Sequence, residues 1–292
     1  MIVLTLLVSP VYATPQFTRL DNIDAIQARL KSLGEGKRLR LRAKLETDLA
    51  TLLYKSGKME DAAAAYETAL TLPTTKKMRR HIYLYMGKSY ESSGRIDKAI
   101  SAYEQALDYD PKNWRRHRDL AGLYEQAKLY HKAREEYSSA RVLNPREPSV
   151  WFVSGRTYRE MGLFKEAEPF LSKALDLGHD EHAVHRELSF VDEGRGRFAT
   201  ALNEWRQGAG DSADPADIAR GIYLSVLSSD LASARTELGR LKAVSSSKDT
   251  VQLYENLIEW PPSGLDALLS SGGKFPELES LVASFLADKK TP

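Results

Sequence analysis

Apolar residues recur along this chain at helical spacing, and small residues mark a longer period on top of it. Four alanines are each 34 residues apart: Ala99, Ala133, Ala167 and Ala201. A large residue follows each alanine by four positions: Tyr103, Tyr137, Leu171 and Trp205. A small residue comes three positions later: Ala106, Ala140, Ala174 and Gly208. A fixed period of this length is typical of proteins in which each helix pair packs on its neighbours. The spacing therefore predicts an all-α chain of stacked helix pairs.

The residues that precede each alanine repeat as well. Large first-turn residues are Tyr83, His117, Trp151 and His185. Small residues twelve before the alanine are Gly87, Ala121, Gly155 and Ser189, and nine before it stand Tyr90, Tyr124, Tyr158 and Asp192. Small residues are expected where two antiparallel helices approach closely, and Pro111 and Pro145 would end the second helix because proline lacks an N–H. This pattern resembles the tetratricopeptide repeat. The resemblance implies a right-handed α-α superhelical solenoid of helix pairs.

The pattern divides the chain into segments. Five repeats are predicted over 43–208, with bounds 43–79, 80–113, 114–147, 148–181 and 182–208. The first contains Ala62, which lies 37 residues before Ala99, so a three-residue insertion is predicted within the linker segment from Thr74 to Lys77. Residues 14–42 are predicted to form an N-terminal capping helix and lead-in, 209–244 a degenerate repeat, and 245–292 a C-terminal helical cap. Terminal repeats of a solenoid are usually atypical because one face meets water.

Residues 1–13 have the character of a signal peptide. An apolar run extends from Ile2 to Val8, Ser9-Pro10 interrupts it, and Val11-Tyr12-Ala13 offers small or apolar residues before a cleavage position. The run is too short to span a membrane, but fits the core of a secretory signal. The sequence thus predicts a periplasmic or secreted protein with no membrane insertion after cleavage. The alternative is an apolar N-terminal flap.

Charge and composition narrow the chemistry. The chain has 42 basic and 40 acidic residues and a formal charge of +2, which argues against nucleic acid as the partner. It has no cysteine, which excludes disulfides, zinc–thiolate sites, iron–sulfur clusters and cysteine nucleophiles. No cofactor and no catalytic residue are predicted. The chain is therefore expected not to be an enzyme.

Three short motifs have a possible chemistry and a simpler structural interpretation. Gly34-Glu35-Gly36-Lys37 lacks the second glycine spacing of a phosphate loop and is predicted to be a helix-ending turn. His179, His182 and His185 follow one another at helical spacing, and imidazoles suit zinc, copper or nickel. His185 also fills the large first-turn slot of its repeat, so packing is the preferred interpretation. The basic run from Lys76 to Arg80 has no interleaved aromatic residue and is predicted to be a solvated turn.

The resemblance implies that the first helix of each pair lines a concave groove. Positions 2, 5, 9 and 12 of the repeat would point into it. Carried onto this sequence, these positions include cationic and aromatic side chains that predict a ligand-binding groove: Lys88, Arg115, Arg118, Phe152, Arg156, Arg159, Arg186 and Phe190. Because guanidinium groups bind carboxylates, the expected partner is a protein or peptide segment with acidic and apolar residues. The alternative is a solvated face on which Glu91, Glu125 and Glu193 neutralise this charge.

These observations predict a non-catalytic protein–protein interaction scaffold in a bacterial envelope assembly or export system. One alternative is a protein that binds cell wall or polysaccharide, for which Trp114 and Trp151 are the candidate aromatic platforms. A metal-dependent enzyme that uses the three histidines is a weaker alternative.

Overall fold

The computed structural model describes residues 19–33, 38–210, 212–245 and 247–259. The predicted signal peptide, the Gly34–Lys37 motif and the part of the C-terminal cap from residue 260 onward lie outside the described residues. Within the described ranges the chain forms fourteen α-helices and no strand. The predicted all-α architecture of helix pairs is confirmed. None of these helices has the length and apolar character that crossing a membrane requires.

The chain divides into two compact units between Leu143 and Asn144. Unit 1 contains α1 (Arg19–Ser32), α2 (Leu39–Lys55), α3 (Met59–Leu70), α4 (Lys76–Ser92), α5 (Ile96–Tyr109), α6 (Trp114–Gln126) and α7 (Tyr130–Leu143). Its helix pairs are α2–α3, α4–α5 and α6–α7, and α3 packs on α4 as α5 packs on α6. Each repeat therefore contacts the next through its second helix.

Unit 2 contains α8 (Pro148–Glu160), α9 (Phe164–Asp176), α10 (Glu181–Gly194), α11 (Phe198–Ala209), α12 (Pro215–Leu227), α13 (Leu231–Val244) and α14 (Lys248–Glu259). The pairs are α8–α9, α10–α11 and α12–α13. Helix α12 begins where the Asp214-Pro215 dipeptide predicts a start, since the Asp214 carboxylate accepts a hydrogen bond from the Ala216 N–H at 3.0 Å. Helix α14 packs on α13 and α12, and its residues Tyr254, Leu257 and Ile258 are buried in the core of the unit.

The repeated small residues lie where two helices meet. All four period-marking alanines have no exposed surface. A Cβ added at Gly155 would stand 2.6 Å from Leu171 Cγ, and one at Gly87 would stand 2.8 Å from the Tyr103 ring. Real carbon atoms do not approach so closely, so larger side chains there would separate the two helices. The small residue and the large residue sixteen positions later therefore form one contact.

Left-handed backbone joins the two helices of a pair. Gly94, Gly162 and Gly196 have φ values of 71°, 72° and 70° in these turns. Glycine adopts this conformation without the Cβ clash that other residues incur. Lys128 and Ser229 occupy the same turn in two other pairs with φ values of 57° and 61°. The turn geometry is therefore kept where the glycine is absent.

Candidate partner-binding surface

Paired side chains position the first helix of each repeat against the second. His117 Nδ1 lies 2.6 Å from Glu136 Oε2, and His185 Nδ1 lies 2.6 Å from Glu204 Oε2. Both pairs join residues 19 apart, so they are the same contact in different repeats. Trp151 occupies the equivalent first-turn position in another repeat. Its ring contacts that of Phe170, which is again 19 residues later, with 5.8 Å between the ring centroids. Sequence reasoning identified the first-turn slot but not the glutamate that it meets.

His117 forms a second contact that favours its protonated ring. Its Nε2 lies 2.9 Å from the carbonyl oxygen of Pro111. A carbonyl oxygen and a carboxylate only accept hydrogen bonds, so both ring nitrogens donate when both contacts are made. The hydrogen bond with Glu136 is the main cause that raises the pKa of His117. Trp151 Nε1 donates to the Pro145 carbonyl at the equivalent position, at 2.9 Å.

Each of the three glutamates expected to neutralise the groove has a hydrogen-bond partner in the structure. Tyr103 donates to Glu91 and Tyr137 donates to Glu125, each at 3.0 Å and twelve residues apart. Glu193 accepts from Arg220 at 2.6 Å, and sequence reasoning had not singled out that arginine. Two of the three carboxylates thus accept a hydrogen bond from a core tyrosine of their own repeat.

In unit 1 the predicted cations lie over aromatic rings. The guanidinium carbons of Arg115 and Arg118 lie 4.5 and 5.5 Å from the centroid of a Trp114 ring. Arg118 also pairs with Asp119 at 2.7 Å. Lys88 Nζ lies 5.5 Å from the Tyr85 ring. The structure therefore brings Arg115 and Arg118 together and places Lys88 in a separate aromatic cluster.

That cluster was missed by sequence reasoning. The Tyr85 ring contacts Tyr54 at 5.3 Å and His81 at 4.5 Å between centroids. Thr51 Oγ1 lies 3.0 Å from the Tyr66 hydroxyl and 3.2 Å from His81 Nε2. Burial lowers the pKa of His81. The tyrosines occur on different helices, α2, α3 and α4, so no local motif signals their meeting.

In unit 2 two predicted arginines pair with carboxylates on the neighbouring first helix. Arg159 Nε on α8 lies 2.6 Å from Glu187 on α10, and Arg159 also contacts Glu160 at 2.7 Å. Arg186 on α10 lies 3.0 Å from Asp217 near the start of α12. Arg156 is half-buried on α8. The expected excess of positive charge is largely balanced within the unit.

The two predicted phenylalanines lie at this surface. Phe152 stacks on His179 at 4.3 Å between centroids, and burial lowers the pKa of that histidine. Phe190 is 40% exposed. The guanidinium carbon of Arg220 lies 3.8 Å from the Phe190 ring centroid, and that of Arg159 lies 5.3 Å away. Arg220 lies 34 residues after Arg186, so the period extended into the degenerate repeat would have found it.

The two phenylalanines line an open pocket of about 550 Å³. The other lining residues come from α10 and from the end of α11: Asp180, His182, Ala183, Arg186, Glu187, Gly208, Ala209 and Gly210. Arg186 Nε donates to the Gly208 carbonyl at 3.2 Å, and His182 Nδ1 lies 2.9 Å from the Gln207 carbonyl. These contacts tie α10 to the end of α11, so the wall is preformed.

The remaining candidate motifs are found in packed or solvated settings. His179, His182 and His185 have the separate partners given above, and the described ranges contain no group of three or more acidic or histidine side chains placed to hold a metal ion. Trp114 and Trp151 are half-buried. The prediction of a solvated turn for the basic run is wrong: Lys76 to Arg80 form the start of helix α4, which Thr75 caps. Arg79 donates to Thr74 Oγ1 at 3.0 Å and Arg80 lies 3.8 Å from Asp110.

The fold is that of an α-solenoid protein built from helix pairs. Comparison with family models identifies the type of repeat. Residues 84–148 and 148–177 each match a model described as "Tetratricopeptide repeat". The chain therefore contains tetratricopeptide repeats, as the resemblance predicted.

Curated relatives match over parts of their own length. The human "Protein O-mannosyl-transferase TMTC1" is 23% identical over 168 residues, which cover 55% of this chain and 18% of that protein. "TPR repeat-containing protein MJ1428" of Methanocaldococcus jannaschii is 25% identical over 162 residues, or 53% of this chain and 28% of that protein. The chain thus matches well under a third of either relative.

Solved structures share the fold at low identity. A tetratricopeptide repeat protein from Parabacteroides merdae has a TM-score of 0.61 at 14% identity, covering 82% of this chain and 97% of its own. The C-terminal part of a TPR repeat-containing protein from Cytophaga hutchinsonii has a TM-score of 0.65 at 14% identity, with 80% and 93% covered. YrrB, described as "a TPR protein with an unusual peptide-binding site", has a TM-score of 0.51 at 14% identity, with 60% and 91% covered.

Proposed function

We propose that this chain is a non-catalytic scaffold that binds a segment of another protein at the unit 2 pocket. The observation that carries the proposal is the exposed Phe190 ring beside Arg159 and Arg220. Each of these arginines is paired with a carboxylate, which restrains the guanidinium group near the ring. Exposed aromatic side chains in a preformed concave site are typical anchors for a protein partner.

The fold supports this kind of function. Tetratricopeptide repeats stack into surfaces that present one helix of each pair to a ligand. YrrB is described as having a peptide-binding site, and it shares this fold. In TMTC1 the match covers 18% of the protein, so a repeat region accounts for only part of that transferase. We therefore assign binding, and no reaction, to the repeats of this chain.

The partner expected from the sequence is a segment with acidic and apolar residues. The apolar part of that expectation agrees with the positions of Phe152 and Phe190 at the pocket. The acidic part loses support, because Arg159 and Arg186 already contact Glu187 and Asp217. We propose that apolar contact provides most of the affinity.

Site-specific photo-crosslinking tests the scaffold function. A photoreactive benzoylphenylalanine replaces Phe190, and the chain is expressed in its native host and irradiated. A discrete crosslinked product is expected, because a bound segment would contact the Phe190 position directly. The matched control places the same residue at Val142 in unit 1, which is 80% exposed and lies outside the pocket.

The comparison between the two positions decides the outcome. A product that forms at 190, is absent at 142, and disappears when Phe152→Ser is added supports binding at the pocket. Equal products at both positions indicate random collision and would contradict the proposal. The absence of any product at 190 from cells in which the chain accumulates folded would also contradict it.

We also propose that the scaffold operates outside the cytoplasm, in a bacterial envelope assembly or export system. The support is the apolar run from Ile2 to Val8 followed by Ser9-Pro10 and Val11-Tyr12-Ala13. N-terminal sequencing of the protein purified from its host tests this. A mature chain that begins at Thr14 in the periplasmic or secreted fraction is expected, and an intact chain in the cytosol would contradict the proposal.

A further inference from the structure

The charge around the unit 2 pocket points to a partner of a different chemistry from the one the arginine-rich sequence suggests. The lining contains two carboxylates, Asp180 and Glu187, and one guanidinium, that of Arg186. Glu187 is paired with Arg159 at 2.6 Å, and Arg186 is paired with Asp217 at 3.0 Å. The opposite charges within each pair cancel. Asp180 is the remaining charged residue in the lining.

Asp180 caps helix α10 through one oxygen. Its Oδ1 accepts a hydrogen bond from the Ala183 N–H at 3.1 Å, and its side chain is exposed. Across the described part of the chain, no ion pair joins Asp180 to a lysine or an arginine. The following residue, Glu181, adds a second exposed carboxylate whose contact is His185 Nε2 at 3.7 Å. The start of α10 therefore has two exposed carboxylates, one of which, that of Asp180, lines the pocket.

Two aromatic rings line the pocket. Phe152 is held by its stacking on His179, and Phe190 remains 40% exposed beside Arg220. A volume of about 550 Å³ accommodates one large side chain together with part of its backbone. Because Arg159 and Arg220 already lie near Phe190, a third cation would find the ring face occupied, whereas a neutral aromatic ring would pack on the exposed part of the phenylalanine.

We propose that the pocket binds an extended peptide segment that inserts an aromatic side chain between Phe152 and Phe190 and pairs a flanking lysine or arginine with Asp180. This inference rests on the proposed scaffold function and specifies the partner of its pocket. It reverses the charge preference that the sequence indicated. The aromatic side chain provides most of the affinity, and the basic residue provides the selectivity between otherwise similar segments.

Three synthetic peptides test the inference by fluorescence polarisation with the full chain. All have a Ser/Gly background; the first has a central phenylalanine flanked by lysines, the second has glutamates in place of the lysines, and the third has a central alanine flanked by lysines. The first is expected to bind about tenfold more tightly than the third, as burial of one aromatic side chain predicts. It is expected to bind about three- to fivefold more tightly than the second, as an exposed ion pair predicts.

Variants separate the two contacts. Asp180→Asn removes the charge but keeps an oxygen that can cap α10, so it should reduce the preference for the lysine peptide over the glutamate peptide without unfolding the helix. Phe190→Ser should weaken the first peptide about tenfold, while Phe190→Leu should retain much of the binding. Val142→Ser, which removes an exposed apolar side chain elsewhere, is the matched control and should change nothing. Circular dichroism verifies that each variant is folded.

The outcomes distinguish this inference from the scaffold function. Tighter binding of the glutamate peptide, or an unchanged preference in Asp180→Asn, would overturn the charge assignment and leave the scaffold intact. If none of the three peptides binds while the crosslink at position 190 persists, the partner does not use an aromatic–basic segment and the inference is wrong. Loss of the crosslink as well would remove both proposals.

Discussion

The two units use their cations differently, although both are built from the same helix pairs. In unit 1, Arg115 and Arg118 lie over Trp114 and Lys88 lies over Tyr85. In unit 2, Arg159 and Arg220 also lie over a ring, that of Phe190, but they bridge in addition from their own helices to carboxylates on α10. The repeat positions are equivalent, because the period aligns Arg118 with Phe152, Arg186 and Arg220. One position of the repeat thus carries a stacked cation, an aromatic anchor or a bridging cation.

The difference changes how neighbouring repeats are connected. In unit 1 a tyrosine on the first helix reaches back to the preceding helix: Tyr90 donates to Glu67, and Tyr124 donates to Glu104 at 2.5 Å. In unit 2 the connection between first helices is made by ion pairs, including Arg186 with Asp217. Partly buried ion pairs depend strongly on both partners, because removal of one leaves a charge unpaired. Unit 2 should therefore be more sensitive to single substitutions on its ligand-facing helices.

The largest effect is expected from filling a helix–helix contact. In unit 2, Gly155→Ala places a carbon 2.6 Å from Leu171 Cγ and 3.2 Å from its backbone nitrogen. The helices must move apart, which should lower the free energy of unfolding by about 1–3 kcal/mol. The control in unit 1 is Gly122→Ala, whose added carbon would meet nothing closer than the Tyr137 hydroxyl at 3.9 Å. It should stabilise its helix by up to about 1 kcal/mol.

Urea unfolding followed by circular dichroism measures both variants. Equal destabilisation by the two alanines would show that Gly155 does not hold the α8–α9 contact.

The next effect compares the two kinds of cation directly. Arg159→Ala leaves the Glu187 carboxylate, which is 14% exposed, without its partner. This should lower the free energy of unfolding by about 1–3 kcal/mol. Arg115→Ala removes an exposed cation over Trp114, worth about 0.5–1 kcal/mol at most. Hydrogen exchange should show faster exchange in α8 and α10 for the first variant only, and a larger loss for Arg115→Ala would refute the proposed difference between the units.

The contributions of His117 and His179 to the pH dependence of stability should have opposite signs. The pKa of His117 in unit 1 is raised chiefly by its hydrogen bond with Glu136. The stability that His117 contributes is fully present below about 6.5, the pKa of an unfolded histidine. It is lost as the pH rises through the pKa of His117 in the folded state. The pKa of His179 in unit 2 is lowered by burial. The folded protein therefore loses stability as the pH falls from about 6.5, the pKa of an unfolded histidine, through the pKa of His179 in the folded state.

NMR titration of the two imidazoles measures the shifts, each unit of which corresponds to about 1.4 kcal/mol. His117→Gln should abolish the loss at high pH, and His179→Gln should abolish the loss at low pH. Shifts of the same sign at both residues would contradict the assignment.

The smallest effect concerns the left-handed turns. Lys128 in unit 1 has a φ of 57° and Ser229 in unit 2 has a φ of 61°. Glycine at either position removes the Cβ clash and should stabilise the chain by about 0.5–1 kcal/mol. Gly162→Ala is the reverse control at φ 72° and should destabilise by a similar amount. Thermal melting measures all three, and no gain from Lys128→Gly would show that this turn is not strained.

Several features of the fold can be predicted from the sequence. The close approach of Gly155 to Leu171, the turn glycines and the start of α12 at Asp214-Pro215 all follow from residue size and backbone preference. Arg220 could also have been found, since it continues the 34-residue register past Arg186. The contact of Tyr54 with Tyr85 could not, because Tyr54 lies on α2 and Tyr85 on α4, and no sequence interval marks where those two helices meet.

The sequence by itself determined that this chain is a series of helix pairs, because a fixed period of small, large and turn residues leaves each helix one place to pack. It also located Phe152, Phe190 and the arginines on first helices. Only the tertiary structure decided which charges meet. Arg159 pairs with Glu187, and Arg186 pairs with Asp217. These pairings depend on the angle between helices and on the rotamers of long side chains, neither of which the sequence specifies. Because these arginines are paired, the remaining charged residue in the lining of the pocket is Asp180, a carboxylate.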